Sequence, residues 1–340
     1  MRIFVYEHVT GGGFLAEETG KVPPSLLREG RAMVEALAAD FAEIAGVEAH
    51  LMQDSRSKGV WPCAVHVHEI ATAQQHAATL EDLAERCDWT VVIAPEIGRA
   101  LEACCRRVQA AGGRLLGPGL KAVRIASDKH LTAEHLAAAG VPVPAGVALG
   151  PGQALPADFS YPAVLKPRLG AGSDQVRLLP DCRSAALSTP SRLERFCPGV
   201  AASVAMLCGP AGLFPLVPCR QRLSDDGRFI YQGGQLPLAP HLAERAVRLG
   251  RRAVAALPEP AGYLGVDVVL GTASDGRNDV VVEVNPRLTT SYVGLRAAAA
   301  VNLAAAMLDA AQGRVPRLSF RPVAVEFDPD GTVRERSEPS

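Results

Sequence analysis

The chain has 340 residues, enough for two or three packed domains at roughly 150 residues each. Apolar residues make up 48% and charged residues 21%, which is typical of a globular protein. The 35 basic and 36 acidic residues leave a net charge of −1, which favours small-molecule partners over nucleic acid or a membrane surface. The first ten residues, MRIFVYEHVT, hold too short an apolar run for a signal peptide or a membrane span, so we expect a cytoplasmic protein.

The first 120 residues alternate between predicted strands and helices. Apolar runs predict strands, and apolar residues at helical spacing predict helices between them. This βαβ pattern predicts a small parallel sheet flanked by helices, in a Rossmann-like domain. The predicted strands cover 2–6, 48–54 and 88–95, and the predicted helices cover 26–44, 79–87 and 100–112.

Three glycines follow the first strand, in YEHVTGGG at 6–13. The segment has neither the Lys-Ser/Thr of a Walker motif nor the spacing of a dinucleotide-binding turn. The carboxyl end of a first parallel strand is a normal ligand crevice, where Gly11 and Gly12 would let the backbone approach a substrate. Glu7, together with His8, would then face an ammonium group. A tight turn with a solvated Glu7 is the alternative.

The cysteines and histidines lack the spacing of a metal site. Eight cysteines occur without a C-x-x-C pair, which indicates free thiols in a reducing compartment. His66 and His68 would lie on one face of a strand. Two histidines without further ligands form a surface or core pair far more often than a metal site, so we assign no metal to them.

The segment IASDKHLTAEHLAAAG predicts a helix capped by Ser127, with Lys129 in its first turn. A proline-rich connector follows at 141–162, with room for one short edge strand. Two strands, 161–167 and 175–179, then flank RLGAGSD. Lys166 stands at the exit of the first strand, and the glycine-rich turn could fold over an anion, although an ordinary hairpin loop is the alternative.

The segment GVDVVLGTASDGRNDVVVEVNPR predicts an antiparallel hairpin that carries two acids. Pairing about the Asp275-Gly276 turn places Asp267 beside Val284 and diagonal to Glu283 and Asn285. Two carboxylates this close in an apolar hairpin are unfavourable unless a cation neutralises them. Mg²⁺ binds few protein carboxylates and fills its shell with water and phosphate oxygens, so this set predicts a magnesium site.

Together, Lys129, Lys166 before GAGS, and Asp267 with EVNPR resemble the ATP-grasp superfamily over residues 120–315. The resemblance implies an α/β plus α+β fold, in which an ATP-grasp domain follows an N-terminal Rossmann-like, or pre-ATP-grasp, domain. The implied divisions are a substrate domain at 1–120, a small ATP-grasp subdomain at 121–200, a large subdomain at 201–318, and a C-terminal strand with a flexible tail at 319–340.

The resemblance also implies a role for each matching residue. The metal ligands, for Mg²⁺ or alternatively Mn²⁺, would be Asp267, Glu283 and Asn285, and the ATP-binding residues would be Lys129, Lys166, Gly170, Ala171, Gly172, Ser173 and the hinge residues Glu194, Arg195 and Phe196. The acid that holds the ribose in this family is replaced by Ala201 or Ala202, which leaves Glu194 as a candidate. Arg287, directly after the metal-site segment, would face the charge that develops in the reaction and is the implied catalytic residue.

The chemistry of the family is the phosphorylation of a carboxylate by ATP, followed by attack of an amine to form an amide. YEHVTGGG, RQRLSDDGRFIYQGGQLPL and EVNPRLTTSYVGL are also similar to the tyramine–L-glutamate ligases of methanofuran biosynthesis. That similarity implies glutamate and an aromatic amine, tyramine or tyrosine, as substrates. The substrate-binding candidates are Glu7, Gly11, Gly12, Gln221, Arg222, Tyr231, Gly233, Gly234, Thr289, Thr290, Ser291 and Tyr292.

Two other functions stay open. One is a different ATP-grasp ligase of the D-alanine or carrier-protein type, and the other is a nucleotide-binding module without turnover. A carrier-protein ligase should present a docking patch of one charge sign, which a near-neutral chain does not indicate. Loss of turnover would normally remove a metal ligand, and all three are present. The oligomeric state, a homodimer being one option, cannot be derived from the sequence.

Overall fold

The computed structural model of the chain describes residues 1–15, 24–57, 61, 64–173, 175–183 and 187–336. Three sheets organise these residues, and they span 2–93, 146–195 and 200–336. The first sheet is parallel and the other two are antiparallel in the pairs that build their cores. The predicted change of architecture after about residue 120 is therefore confirmed, as is the combination of α/β and α+β layers.

The N-terminal sheet has the strand order β3-β2-β1-β4, and all its strands are parallel. Its strands are β1 (Arg2–Glu7), β2 (Glu48–Asp54), β3 (His66–Ile70) and β4 (Trp89–Ile93), and its helices are α1 (Pro24–Ala42), α2 (Ala73–Arg86) and α3 (Ala100–Ala110). Ile3 and Val5 face α1, whereas Phe4 and Tyr6 face α2 and α3. The strand β3 is absent from the predicted set because its sequence, HVHEI, lies mostly exposed at the sheet edge and lacks an apolar run.

Two short helices, α4 (Leu120–Ala126) and α5 (Lys129–Ala138), connect this sheet to the rest of the chain. The predicted cap of α5 is wrong by one residue. Asp128 is the N-cap, and its carboxylate accepts the backbone N–H groups of His130 and Leu131, while Ser127 ends α4. A carboxylate accepts from two helix N–H groups more strongly than a hydroxyl does. Lys129 stands in the first turn, as predicted.

The second sheet has four short strands in the order β5-β8-β6-β7. They are β5 (Gly146–Leu149), β6 (Ala163–Pro167), β7 (Arg177–Leu179) and β8 (Ser191–Arg195). β5 is the short edge strand that the proline-rich connector predicts, and β6 pairs with β7 as the predicted antiparallel hairpin. This sheet carries Lys166 and Glu194 on neighbouring strands.

The third sheet has the strand order β14-β13-β9-β11-β12-β15-β16, with β10 paired to β9. Helix α6 packs on one face, and helices α7 and α8 pack on the other, where they share one core with α1. The strands are β9 (Val200–Gly209), β10 (Gly212–Pro215), β11 (Cys219–Leu223), β12 (Tyr231–Leu236), β13 (Gly262–Leu270), β14 (Val280–Asn285), β15 (Ala324–Phe327) and β16 (Val333–Arg336), and the helices are α6 (Pro240–Ala256), α7 (Ser291–Ala298) and α8 (Leu303–Ala311).

The predicted hairpin of β13 and β14 is present, but its register differs from the predicted one. Asp267 lies directly opposite Glu283, not Val284, and Gly265 lies opposite Asn285. The difference arises from a β-bulge after Asp267, which shifts the pairing between the turn and the acidic positions. Asp267 and Glu283 consequently point to the same face of the sheet.

A buried ion pair fixes the loop that joins β13 to β14. Asp279 accepts a hydrogen bond from Arg245 Nε at 2.9 Å and a second from Arg245 Nη2, and it also accepts the backbone N–H of Gly271 at 2.9 Å. The two side chains are only 7% and 6% exposed. Removing one partner of a buried pair leaves an uncompensated charge.

We expect Asp279→Ala to lower the free energy of unfolding by about 3–5 kcal/mol, because it leaves the Arg245 guanidinium buried and unpaired. The same loop offers a matched control in Asp275, whose pair with Arg277 is exposed, so Asp275→Ala should leave the unfolding curve nearly unchanged. Urea unfolding of both variants measures the difference. Equal effects would contradict the structural role of the buried pair.

Candidate active site

The largest of the described cavities, about 730 Å³, lies between the second and third sheets. One wall is formed by the second sheet and its exit segment, with Lys166, Glu194 and Phe196, and the opposite wall includes Asp267 and the loop after β11. The rings of Phe196 and Phe229 both line this cavity and stack on each other, with centroids 6.2 Å apart and planes 23° from parallel. An aromatic pair beside a mostly apolar cavity can hold a flat heterocycle such as adenine.

Two buried lysines lie beside the acidic hairpin, and one of them, Lys166, lines this cavity. Lys166 Nζ lies 2.5 Å from Glu194 Oε1 and donates to the carbonyl oxygen of Val282 at 3.3 Å. Lys129 Nζ donates to Glu283 Oε1 at 2.7 Å and to the carbonyl oxygen of Gly170 at 2.8 Å. Each ammonium group therefore bonds to a carboxylate, and a phosphate group could take the place of that carboxylate as its partner.

The acid–acid–amide set converges on one point. Asn285 Nδ2 donates to Asp267 Oδ2 at 3.1 Å, and Gln221 Nε2 donates to Asp267 Oδ1 at 3.0 Å. Burial, and then the charge of Glu283, raise the pKa of Asp267 to about 7. Burial acts to raise the pKa of Glu283 as well, but Lys129 and Lys166 outweigh it and hold that pKa below its usual value. The hard oxygen donors of these three side chains fit Mg²⁺.

The glycine-rich turn covers this set from the side of the second sheet. Gly172 and Ser173 have positive φ values of 67° and 60°, and both line a second cavity of about 110 Å³. Gly170 supplies its carbonyl oxygen to Lys129, and Ala171 lines a third, small cavity of about 30 Å³. The turn thus separates the largest cavity from α1 of the N-terminal domain.

The second cavity adjoins the first, and Ser173, Gln221 and Asp267 line both. Its wall includes a buried cation, Arg287, and a carboxylate from α1, Glu29. The other polar side chains around it are Ser203, Tyr231, Asn285, Thr289, Thr290 and Ser291. A pocket whose wall holds a cation, Arg287, as well as carboxylates can take a ligand that carries both charges.

The Arg287 guanidinium is held by a bidentate ion pair across two domains. Its Nε and Nη2 donate to the Glu96 carboxylate at 2.8 and 3.0 Å, and Nη1 donates to the carbonyl oxygen of Leu288 at 3.1 Å. Glu96 follows β4 in the N-terminal domain and is almost fully buried. The ion pair with Glu96 therefore fixes the orientation of the Arg287 guanidinium at the wall of the second cavity.

Glu29 contributes the negative side of this cavity. Its carboxylate lies at hydrogen-bond distance, 3.5 Å, from the Thr290 hydroxyl. Burial raises the pKa of Glu29, and the charge of Arg287 opposes that rise. The residue stands on an amphipathic helix, where an acid usually lies in solvent, so only the packing of α1 against α7 and α8 reveals its position.

Three further predicted substrate residues belong to one hydroxyl network or lie beside it. The hydroxyls of Thr289 and Ser291 are 2.8 Å apart, and both bond to Tyr263. Tyr231 lines the same cavity. Arg222 lines the larger cavity, but its Nη2 donates hydrogen bonds to the carbonyl oxygens of Gln232 and Phe327 and to the Asp328 carboxylate. Its observed contacts join β11 and β12 to the end of β15.

Of the predicted substrate residues at the end of the first strand, Glu7 lines the small third cavity together with Glu29 and Arg287, whereas Gly12 lines a different cavity beside His8 and His76. Glu7 is buried, and its carboxylate accepts the backbone N–H groups of Val9 and Thr10 at 3.0 and 2.6 Å. A side chain at Gly11 would collide with the carbonyl oxygen of Glu7, and Gly12 has a φ of 94°. These contacts match the tight-turn alternative, with the difference that Glu7 is buried and bonded where that alternative has it solvated.

Glu194 has two cationic partners, which bears on its predicted contact with ribose. Besides Lys166, it accepts from Arg192 Nε at 2.8 Å.

Sequence reasoning missed Glu29, Glu96, Phe229 and Ser203. Phe229 lies within RQRLSDDGRFIYQ, where an aromatic residue directly after a turn was the available signal, whereas the two acids and Ser203 gave none.

A nucleotide-sized cavity between two antiparallel sheets, preceded by a parallel-sheet domain, is the architecture of ATP-dependent ligases of the ATP-grasp class. Residues 126–291 match the ATP-grasp domain family, and residues 47–123 match the pre ATP-grasp 3 domain. The chain therefore carries a pre ATP-grasp domain followed by an ATP-grasp domain, a domain that binds ATP, and it is a ligase that forms carbon–nitrogen bonds.

Individual relatives match most of the chain at low identity. The tyramine–L-glutamate ligase of Methanocaldococcus fervens is 24% identical over 301 residues, which cover 86% of this chain and 89% of the relative. Among solved structures, an ATP-grasp superfamily protein from Archaeoglobus fulgidus has a TM-score of 0.72 at 21% identity, covering 96% of this chain and 92% of that one. N5-carboxyaminoimidazole synthase from Aspergillus clavatus, in complex with ADP and an aminoimidazole ribonucleotide, has a TM-score of 0.66 at 19% identity, covering 96% and 81%. Among the helices that the structure describes, none is long and apolar enough to cross a membrane.

Proposed function

We propose that this ligase joins a carboxylate of glutamate to an aromatic amine, tyramine or tyrosine, and releases ADP and phosphate. The product would serve the biosynthesis of a C1 carrier of the methanofuran type. The observation that carries the proposal is that Arg287 and Glu29 line one cavity together with Asp267 and Asn285 of the acidic hairpin. The similarity to the tyramine–L-glutamate ligase of Methanocaldococcus fervens supports the choice of substrates.

ATP would occupy the 730 Å³ cavity, with its base near Phe196 and Phe229 and its phosphates toward Lys129 and Lys166. Asp267, Glu283 and Asn285 would hold Mg²⁺, or Mn²⁺ in its place. When bound, the ion neutralises negative charge on the transferring phosphoryl group. The raised pKa of Asp267 supports this assignment, since burial and then the facing Glu283 carboxylate oppose ionisation of Asp267, and a bound cation would relieve both.

The reaction needs positioning and charge neutralisation more than a covalent nucleophile. A glutamate carboxylate oxygen attacks the γ-phosphorus, and the bond from that phosphorus to the ADP oxygen breaks. The ammonium group of the amine substrate first loses one proton to Glu29. The free amine nitrogen then attacks the acyl carbon, the bond from that carbon to the phosphate oxygen breaks, and the nitrogen gives up a second proton to the departing phosphate. Arg287 would face the carboxylate and the acyl phosphate, and Glu29 would hold the ammonium group of the incoming amine and accept its proton.

The test is an assay with purified protein, ATP, Mg²⁺, glutamate and tyramine. We expect amine-dependent release of ADP and phosphate, and a glutamyl amide in the mass spectrum. Fragmentation of that product distinguishes the α- from the γ-linked amide. Parallel reactions with tyrosine and D-alanine separate this proposal from another amino-acid ligase. AMP as the product would exclude acyl-phosphate chemistry, and no amine-dependent ADP release with any amine would leave only the nucleotide-binding module.

Glu29→Gln tests the assignment of the amine. We expect KM for the amine to rise about tenfold or more, because a neutral amide cannot pair with an ammonium group, while KM for ATP stays unchanged. Glu35 lies on the same helix and pairs with Arg31 at a partly exposed position, so Glu35→Gln is the matched control. Equal KM values for the amine in the two variants would contradict the role of Glu29.

A further inference from the structure

A cluster of three histidines and one glutamate lies at the edge of the N-terminal sheet. His50 on β2 and His66 on β3 are partners in the parallel register, and their rings stack with centroids 4.7 Å apart. His68 follows on β3, and Glu48 precedes His50 on the same face of β2. Ligand atoms of Glu48, His50 and His66 all lie within 4.8 Å of one another.

Among the residues that the structure describes, one buried ring nitrogen of this cluster has no hydrogen-bond partner. His50 Nδ1 lies 3.2 Å from His68 Nε2, at hydrogen-bond distance. In the part of the chain that the structure describes, His50 Nε2 is buried without any hydrogen-bond partner, and the Glu48 carboxylate lies 3.9 Å from it. With the proton on Nδ1 donated to His68, Nε2 presents a lone pair toward Glu48. A histidine that ligates a metal commonly shows this arrangement, with its other nitrogen bonded to an outer partner.

The cluster can also adopt the spacing that a metal requires. Ligand bonds of about 2.0–2.1 Å in a tetrahedral site place neighbouring ligand atoms roughly 3.3 Å apart. The side chains of Glu48 and His66 are largely exposed, so rotation about their χ angles can bring them closer without any change in the backbone. Imidazole has an ordinary pKa of about 6.5, and two neutral ring nitrogens with one carboxylate oxygen suit Zn²⁺ better than Mg²⁺.

We propose that Glu48, His50 and His66 bind one borderline divalent ion of the Zn²⁺ class, with His68 as the outer partner that orients His50. The site lies on β2 and β3, away from the acidic hairpin of β13 and β14, and it needs neither ATP nor substrate. Binding would link the edge strand β3 to the sheet and would stabilise the folded N-terminal domain by mass action.

The test is a titration of the full-length protein with Zn²⁺ by calorimetry, at pH 7.5 and in excess Mg²⁺, which occupies hard oxygen sites. We expect one equivalent to bind. His68→Ala should weaken binding about 10–100-fold, and His50→Ala should weaken it further. Co²⁺ bound in place of Zn²⁺ should give visible d–d bands without a thiolate charge-transfer band, which separates this site from the cysteines.

His241 provides the matched control, because it is an exposed histidine on α6, remote from the cluster. His241→Ala should bind Zn²⁺ like the unaltered protein, and circular dichroism should show that each variant is folded. The proposal is overturned if the unaltered protein binds no Zn²⁺, or if His50→Ala binds as tightly as His241→Ala. Ligase activity is no part of this readout, so failure here leaves the proposed reaction untouched.

Discussion

Glu283→Gln should lower kcat by at least about 10²–10³-fold while the chain stays folded. The carboxylate lies directly opposite Asp267 and bonds to Lys129 at 2.7 Å, so it joins the acid pair to a proposed phosphate ligand. The amide keeps the shape of the side chain but removes the negative charge that would attract the cation. Steady-state ADP release at saturating ATP measures the loss, and the Mg²⁺ concentration for half-maximal activity should rise.

Asp275→Asn is the matched control for this experiment, since it neutralises an exposed acid at the tip of the same hairpin. It should retain nearly full activity with an unchanged Mg²⁺ requirement. If Glu283→Gln behaved like this control, the metal assignment would be wrong, although the ligase reaction itself could still stand. Circular dichroism of both variants checks that any loss of activity does not come from unfolding of the chain.

The elements with regular apolar patterns were predictable from the sequence. Strands β1, β2 and β4 are short, largely apolar segments that alternate with amphipathic helices, and this pattern is typical of a parallel sheet. The valine-rich hairpin was predictable for the same reason, because its turn carries Asp275-Gly276. Its register was not, since the bulge after Asp267 depends on three-dimensional pairing with β9 as well as β14 and leaves no local signal.

The candidate site was predictable only where its residues lie in compact motifs. Lys166 and the glycine-rich turn are neighbours in the chain, and so are Glu283 and Asn285. By contrast, Glu96 and Arg287 are 191 positions apart, and Glu29 and Thr290 are 261 positions apart. Contacts of this kind arise when the N-terminal domain packs against the third sheet, and neither helical nor strand periodicity encodes them.

Arg287→Lys should reduce kcat/KM for glutamate by about 10²-fold or more, even though it keeps a positive charge. The arginine fork bonds Glu96 through two nitrogens and still presents the guanidinium to the second cavity. A lysine ammonium is a point charge that cannot reproduce this bidentate contact, so its position relative to the substrate carboxylate is no longer fixed. Separate measurements of kcat and of KM for glutamate should show both changing.

Stability has to be separated from catalysis, because Arg287→Ala alone would leave Glu96 buried and unpaired, at a cost of about 3–5 kcal/mol. The double variant Arg287→Ala/Glu96→Ala removes both charges and should recover most of the lost stability without recovering activity. Glu96→Gln alone, which keeps Arg287, should be less impaired than Arg287→Lys. If instead activity followed the fraction of folded protein across all these variants, Arg287 would act as a brace between the two domains and a different cation would have to face the acyl phosphate. The described wall of the second cavity contains no second arginine or lysine, so in that case the charge would have to come from Lys129 or Lys166.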